Sequence, residues 1–250
     1  MELNYGGVVP ISTIDWHGTV SIVIFFRGCP FRCLYCHNHE LISGSNPVDI
    51  EEIESQITKS RIFVDNAVFT GGEPFMQSDV LKHLTDFAKY NNLLVGINTN
   101  GFYPNCVKEF ILDNRVDKFF VDIKAPLDDL ELYRKVSGYN SSNPSELVNR
   151  VVETVNILNE SGIEFELRTT VIRDLIGNPD EISQISEWVS KNLSKDVPYV
   201  IQQGQPDHSM DSDLHGIEPL KKEEILELSK YAKNYLDDVR INTDNGYEKV

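Results

Sequence analysis

The chain has 250 residues, enough to bury a sizeable core in one large α/β domain or two small ones. Its make-up, 40% hydrophobic and 25% charged, is that of an ordinary globular protein rather than a fibrous, disordered or disulfide-dense one. The formal charge of −16, from 23 basic against 39 acidic residues, repels phosphate backbones and anionic lipid, so nucleic-acid and membrane-surface functions are set aside.

The opening residues MELNYGGVVPISTIDWHG contain no basic stretch leading into an apolar run, and no segment approaches the ~18 apolar residues of a membrane span. A cytoplasmic location and reduced cysteines are therefore expected. The first expected strand, VSIVIFF (20–26), runs into RGCPFRCLYCHNHE (27–40), which holds three of the four cysteines: Cys29, Cys33 and Cys36. Three chemistries suit this C-x3-C-x2-C spacing. His37 or His39 as a fourth ligand would complete a zinc knuckle. Cys33 and Cys36 could form a redox pair, although CLYC does not open a helix cleanly. Three thiolates could also hold an iron–sulfur cube with one iron left open.

A helix is expected from Asp49, with Glu52 completing a capping box. The strand NAVFT (66–70) leads into TGGEP, where Gly71 and Gly72 permit close backbone approach and Glu73 suits an ammonium ion. A plain turn accounts for that motif equally well. LLVGIN (93–98) leads into NTNG, placing Asn98, Thr99 and Asn100 at a strand end, again as a turn or as a polar binding loop. In KFFVDI (118–123) and the AP that follows Lys124, Asp122 and Lys124 leave one strand face amid apolar residues, as an ion pair or as contacts to a charged ligand.

Residues 143–162 and 178–192 read as helices that begin Asn-Pro with Glu at the third position, the first ending at Gly162. Between them, EFELRTTV (164–171) carries Arg168, a surface residue or a carboxylate clamp. YVIQQ (199–203) brings Gln202, Gln203 and Gln205 to the next strand end. An amphipathic helix over 220–236 precedes the last strand, VRIN (239–242). Strand–helix alternation without a linker or repeat predicts a single α/β domain of right-handed parallel crossovers, a barrel, partial barrel or doubly wound sheet. In such folds the site lies on loops at the strand C-termini, where all the polar motifs above fall.

Taken together, the cysteine motif with an aromatic residue before its last Cys, followed by Gly-Gly-Glu-Pro at the next strand end, resembles the radical S-adenosylmethionine (SAM) superfamily. GCPFRCLYCHN with TGGEP, NTNG and DIK is similar to its glycyl-radical-enzyme activating branch, and STIDWHG before the cluster resembles the anaerobic ribonucleotide reductase activators within it. The resemblance covers about residues 11–205. It implies a parallel-stranded partial TIM barrel as one domain over 1–250, with a core of about 18–205 and a C-terminal helix and strand over 219–243.

The resemblance also implies cofactors and roles. Cys29, Cys33 and Cys36 would hold one [4Fe–4S] cluster whose open iron takes SAM. Tyr35 would pack near the adenine, with His37 beside the cofactor rather than on zinc. Gly71, Gly72 and Glu73 would hold the methionyl amino group, and Asn98 and Thr99 would line the pocket. Asp122 and Lys124 would meet the SAM carboxylate end or a monovalent cation, and Arg168 with one of the glutamines would finish the pocket. Asn98 stands where some relatives carry Asp, which weakens the case for the cation. Reductive cleavage of SAM would give a 5′-deoxyadenosyl radical that takes Hα from a glycine of a partner enzyme. Flavodoxin or ferredoxin would donate the electron. The competing expectations are a small-molecule or nucleobase substrate, as in a 7-carboxy-7-deazaguanine synthase, and a non-catalytic zinc module. Cys106 alone cannot hold a second cluster and reads as a helix residue.

Overall fold

The computed structural model describes residues 1–141 and 143–250. Seven strands rich in β-branched and aromatic residues run parallel: β2 (Ser21–Phe26), β4 (Asn66–Gly71), β5 (Leu94–Thr99), β6 (Lys118–Asp122), β7 (Glu164–Val171), β8 (Tyr199–Gln203) and β9 (Val239–Thr243). They stand side by side in that order, flanked by antiparallel strands: β1 (Glu2–Ser12) and β3 (Pro47–Asp49) at one edge, β10 (Gly246–Lys249) at the other. The strands expected from the sequence are the parallel core. The three added strands are short or broken: β1 contains Gly6-Gly7 and Pro10, which disguise it, and an edge position tolerates the proline.

Alternate strand residues face a helical layer. Ile22, Ile24, Phe26, Ala67, Phe69, Val95, Ile97, Phe119, Val121, Leu167 and Ile201 are buried in one apolar core. That core also takes in the apolar stripes of α1 (Ile50–Ser60), α2 (Ser78–Tyr90), α3 (Pro104–Leu112), α4 (Leu130–Ser137), α5 (Pro144–Ser161), α6 (Pro179–Asn192) and α7 (Lys222–Lys233). Asn178 and Glu181 form the expected reciprocal cap of α6, and Gly162 ends α5 with φ +72°. Two expected caps are absent. Asp49 is drawn into β3, where it pairs with Glu2 and makes no capping bond. Asn143 Oδ1 accepts the Ser145 hydroxyl at 2.6 Å instead of capping α5.

The opposite face of the sheet is small and largely polar. Its apolar part is Trp16, Val23, Val68 and Phe120, with Phe25 against them. Below the strand ends, buried Glu166 meets Arg168 at 2.8 Å, Lys118 at 3.1 Å and Arg240 at 3.9 Å, and accepts the Tyr247 hydroxyl at 3.4 Å. Burial opposes its charge, but Arg168 and Lys118 outweigh that and hold its carboxyl below the usual range. The sheet curls, because its far edges meet. His17, in the β1–β2 loop, stacks on Tyr247 of β10 with ring centroids 4.3 Å apart, and Arg168 donates to the Asp15 carbonyl at 3.3 Å. No strand pair closes the ring among the described residues, so the fold is an open, partial barrel with its floor plugged by the Trp16 loop.

Candidate functional site

The cysteine loop leaves the C-terminal end of β2 and is fastened on several sides. Gly28 N–H donates to the Leu41 carbonyl at 2.7 Å, and Arg32 and Leu34 N–H donate to the Ser137 and Val136 carbonyls at the end of α4. The Arg32 guanidinium caps the Cys29 and Phe31 carbonyls at 2.7 and 2.8 Å. Phe31 is buried edge-on against Phe102 and Tyr139. All four cysteines are free thiols. Burial pushes the Cys29 thiol up to about 12 and the Cys33 thiol up to about 11, and raises Cys36 as well. Such thiols stay protonated unless a metal takes them as thiolates.

Gly71 and Gly72 have a more specific role than a permissive turn. A Cβ on Gly72 would lie 2.1 Å from the Gly28 carbonyl oxygen, and one on Gly71 would lie 2.4 Å from that of Phe26. The two loops dock backbone to backbone here, with Gly72 N–H on the Phe26 carbonyl at 2.8 Å and Glu73 N–H on that of Gly28 at 2.7 Å. The docking turns Glu73 inward, fully buried beneath the cysteines. Its carboxylate accepts Asn100 N–H at 2.8 Å, the Thr99 hydroxyl at 3.0 Å and Phe75 N–H at 3.3 Å. Burial nevertheless dominates and pushes its pKa up to about 7, because no cation neutralises it.

The three polar residues after β5 separate into distinct roles. Thr99 orients Glu73. Asn100 also reaches toward the cysteines, with Nδ2 3.7 Å from Cys29 Sγ. Asn98 Nδ2 donates to Thr70 Oγ1 at 3.1 Å, and its buried Oδ1 has no partner. Beyond β6, Lys124 is buried, 2.8 Å from Asp122 and 5.5 Å over the Tyr35 ring. Burial disfavours its charge, but Asp122 and Tyr35 more than compensate and raise its pKa. The Tyr35 hydroxyl is buried without a partner.

Cys29, Cys33, Cys36, Tyr35, Glu73, Thr99, Asp122 and Lys124 are thus brought together at one end of the barrel. Two expected members are not. The Arg168 guanidinium is already committed to Glu166 and to the Asp15 carbonyl, over the Phe120 ring at 4.1 Å, where it faces the floor. His37 points outward, exposed, and stacks on His208 at 4.9 Å. Gln203 is bound to the Leu220 carbonyl and Asp244 N–H, which leaves Gln202 as the glutamine on the inner face.

The donor set fits an iron–sulfur cube and SAM. Three thiols lie on one anchored loop, a buried carboxylate, Glu73, has no counter-ion, and a buried ammonium, Lys124, is paired with the half-exposed Asp122 close to Tyr35. Two buried polar atoms on these loops, Tyr35 Oη and Asn98 Oδ1, lack a hydrogen-bond partner. Among the described residues no set of three His, Cys, Asp or Glu side chains is arranged around a single metal ion.

Comparison with known proteins agrees with this donor chemistry. The family model described as the radical SAM superfamily matches residues 23–189. A Methanocaldococcus jannaschii protein provisionally named a glycyl-radical enzyme activating enzyme is 30% identical across 98% of both chains. The pyruvate formate-lyase-activating enzyme of Clostridium pasteurianum is 24% identical over 87% of this chain and 92% of its own. In structure, a radical SAM methyltransferase from Sphaerobacter thermophilus shares the fold, with a TM-score of 0.68 at 14% identity, covering 92% of this chain and 68% of that one.

Proposed function

Since this chain belongs to the radical SAM superfamily, we propose that it is a glycyl-radical-enzyme activating enzyme whose protein partner is an anaerobic ribonucleotide reductase. The observation that carries the activating role is similarity over 98% of both chains to a relative named as a glycyl-radical enzyme activating enzyme, while the reductase as partner rests on the resemblance of the STIDWHG segment before the cysteines. With only Cys106 left after the three ligands, an auxiliary cluster has no ligands here.

Cys29, Cys33 and Cys36 would hold the cluster. With SAM bound, that cluster would supply the electron that cleaves the sulfonium C5′–S bond to methionine and a 5′-deoxyadenosyl radical. Glu73 would receive the methionyl ammonium, its carboxylate fixed for that contact by the Thr99 hydroxyl and Asn100 N–H. Lys124 would meet the methionyl carboxylate, its ammonium held in place by Asp122. Tyr35 would pack beside the adenine. The burial of Glu73, Lys124 and Tyr35 keeps water from the reacting atoms. Flavodoxin or ferredoxin delivers the electron. No helix of the described residues is long and apolar enough to cross a membrane, and an electron donor of the flavodoxin or ferredoxin class supports a cytoplasmic location for this reading.

We assign no monovalent cation to the site. Asn98 is neutral, and the Asp122 carboxylate already has the Lys124 ammonium at 2.8 Å. SAM affinity is expected to stay unchanged when sodium or potassium is exchanged for a bulky organic cation at constant ionic strength. A loss of binding in the organic salt overturns the assignment.

The test of the function is spectroscopic. Reduced protein, SAM and the candidate reductase should give a glycyl-radical doublet by electron paramagnetic resonance. Silence with every candidate glycyl-radical protein, together with turnover of a small molecule, replaces this reading with the small-molecule one.

A further inference from the structure

The loop after β5 is fastened both to the cysteine loop and to α5. Phe102 packs edge-on against Phe31 at 5.6 Å and lies under the Arg150 guanidinium at 4.5 Å. The Gly101 carbonyl accepts the Thr154 hydroxyl at 2.7 Å. Asn100 is buried within this fastening. Its side-chain oxygen accepts Phe102 N–H at 3.0 Å, so the nitrogen is the end of the amide turned to the cysteines. That nitrogen stands 3.7 Å from Cys29 Sγ, in reach of an N–H···S bond. Among the described residues no other side chain donates to Cys29, Cys33 or Cys36 Sγ.

The charges around this sulfur say what such a donor does. Reduction of a [4Fe–4S] cluster adds one electron, supplied here by the flavodoxin or ferredoxin class of donor. The added charge is shared with the cysteine sulfurs, so hydrogen bonds to them help set the potential. At Cys33 the Lys124 ammonium favours negative charge more strongly than any neighbouring carboxylate opposes it. The balance at Cys29 is reversed. Burial disfavours the thiolate first, and the Glu73 carboxylate then opposes negative charge by more than Lys124 favours it. The carboxylate suited to the methionyl ammonium therefore makes reduction harder on the Cys29 side.

We propose that Asn100 raises the reduction potential of the cluster through its N–H···S bond to Cys29, offsetting Glu73 so that carboxylate and electron acceptor share one buried site. The same residue holds Glu73 in place, because its backbone N–H donates to that carboxylate at 2.8 Å. Asn100 acts through Cys29 and Glu73 and is a positioning residue. The assignment rests on the three cysteines holding the cluster and is independent of the substrate.

The test is a mediated redox titration of the reconstituted protein without SAM, read by electron paramagnetic resonance of the reduced cluster. Asn100→Ser keeps an oxygen for Phe102 N–H and removes the donor to sulfur. Its iron and sulfide content should match the wild type, while its reduction equilibrium falls roughly tenfold, about 59 mV for one electron. Asn100→Asp keeps the turn and adds a negative charge, so its potential should fall further. In the wild type, asparagine labelled with nitrogen-15 in the side-chain amide should show a weak hyperfine coupling to the reduced cluster in pulsed measurements. That readout needs no variant to fold, and the coupling should be absent from Asn100→Ser. A wild type without the coupling, or an Asn100→Ser potential equal to the wild-type value, overturns the assignment and leaves the cysteines as ligands. Wild-type protein that takes up no iron and sulfide overturns the cluster and the assignment with it.

Discussion

Cys33→Ala is expected to abolish iron and sulfide incorporation, whereas Cys106→Ala should retain ~4 Fe and ~4 S per chain, the content of a cube. The contrast follows from geometry. Cys33 is 7% exposed on a loop held between Arg32 and Leu34, whose amides are both bonded to the end of α4. That loop cannot slide to offer another donor, and none stands in reserve. Cys106 sits in α3 and lines a separate cleft with Tyr103 and Arg150. Two remaining thiols do not satisfy a cube held by three cysteines, and the neighbouring groups offer no third sulfur. Anaerobic reconstitution followed by iron and sulfide analysis decides the matter. Equal iron loss in both variants contradicts the ligand assignment. Wild-type protein that takes up zinc in place of iron and sulfide points to the zinc module instead.

The parallel strands were legible because burial on two faces leaves near-continuous apolar runs, as in SIVIFF and KFFVD. The helix signals were legible where a cap was chemically complete, as at Asn178 with Glu181. They misled where a strand or a nearer donor competed for the capping residue, as at Asp49 and Asn143. β1 was hidden because an edge strand with a register shift near Gly6 keeps neither alternation nor length. Within the site, Cys29, Cys33, Cys36 and Glu73 were readable from spacing and from position at strand ends. Which neighbours touch them was not. Arg168 and Asp122 share a face and a rung of the β6–β7 ladder, so the strand pattern equates them. Only the side-chain direction, set by Glu166 two residues earlier on the same strand, sends Arg168 toward the floor. The Gly71-Gly72 pair likewise read as a turn or as close approach to a ligand, because its docking against Phe26 and Gly28 involves a second loop whose position no local pattern records.

SAM affinity is expected to rise with pH through about 7 and then level, with a value at pH 6 roughly tenfold below the plateau. The group responsible is Glu73, whose pKa burial lifts to about 7 despite the Asn100, Phe75 and Thr99 hydrogen bonds that favour its charge. Below that pH the carboxyl is mostly protonated and must lose its proton before it can pair with the methionyl ammonium, so binding releases a proton there and none above. The linkage for the SAM-free protein has the opposite direction. The folded pKa lies above the unfolded one, so the folded state binds more protons between them. Stability is then greatest below the unfolded value and falls as pH rises toward 7, by an amount on the order of 3 kcal/mol for a shift of this size. An ammonium partner removes that penalty, so SAM should stabilise the protein more at pH 8 than at pH 6. Titration calorimetry in buffers of different ionisation enthalpy measures affinity and proton release together. Glu73→Gln should bind SAM more weakly, with no proton release and a flat profile across this window. A wild-type affinity that does not change between pH 6 and pH 8 would remove Glu73 as the ammonium partner, whatever the cluster cysteines prove to hold.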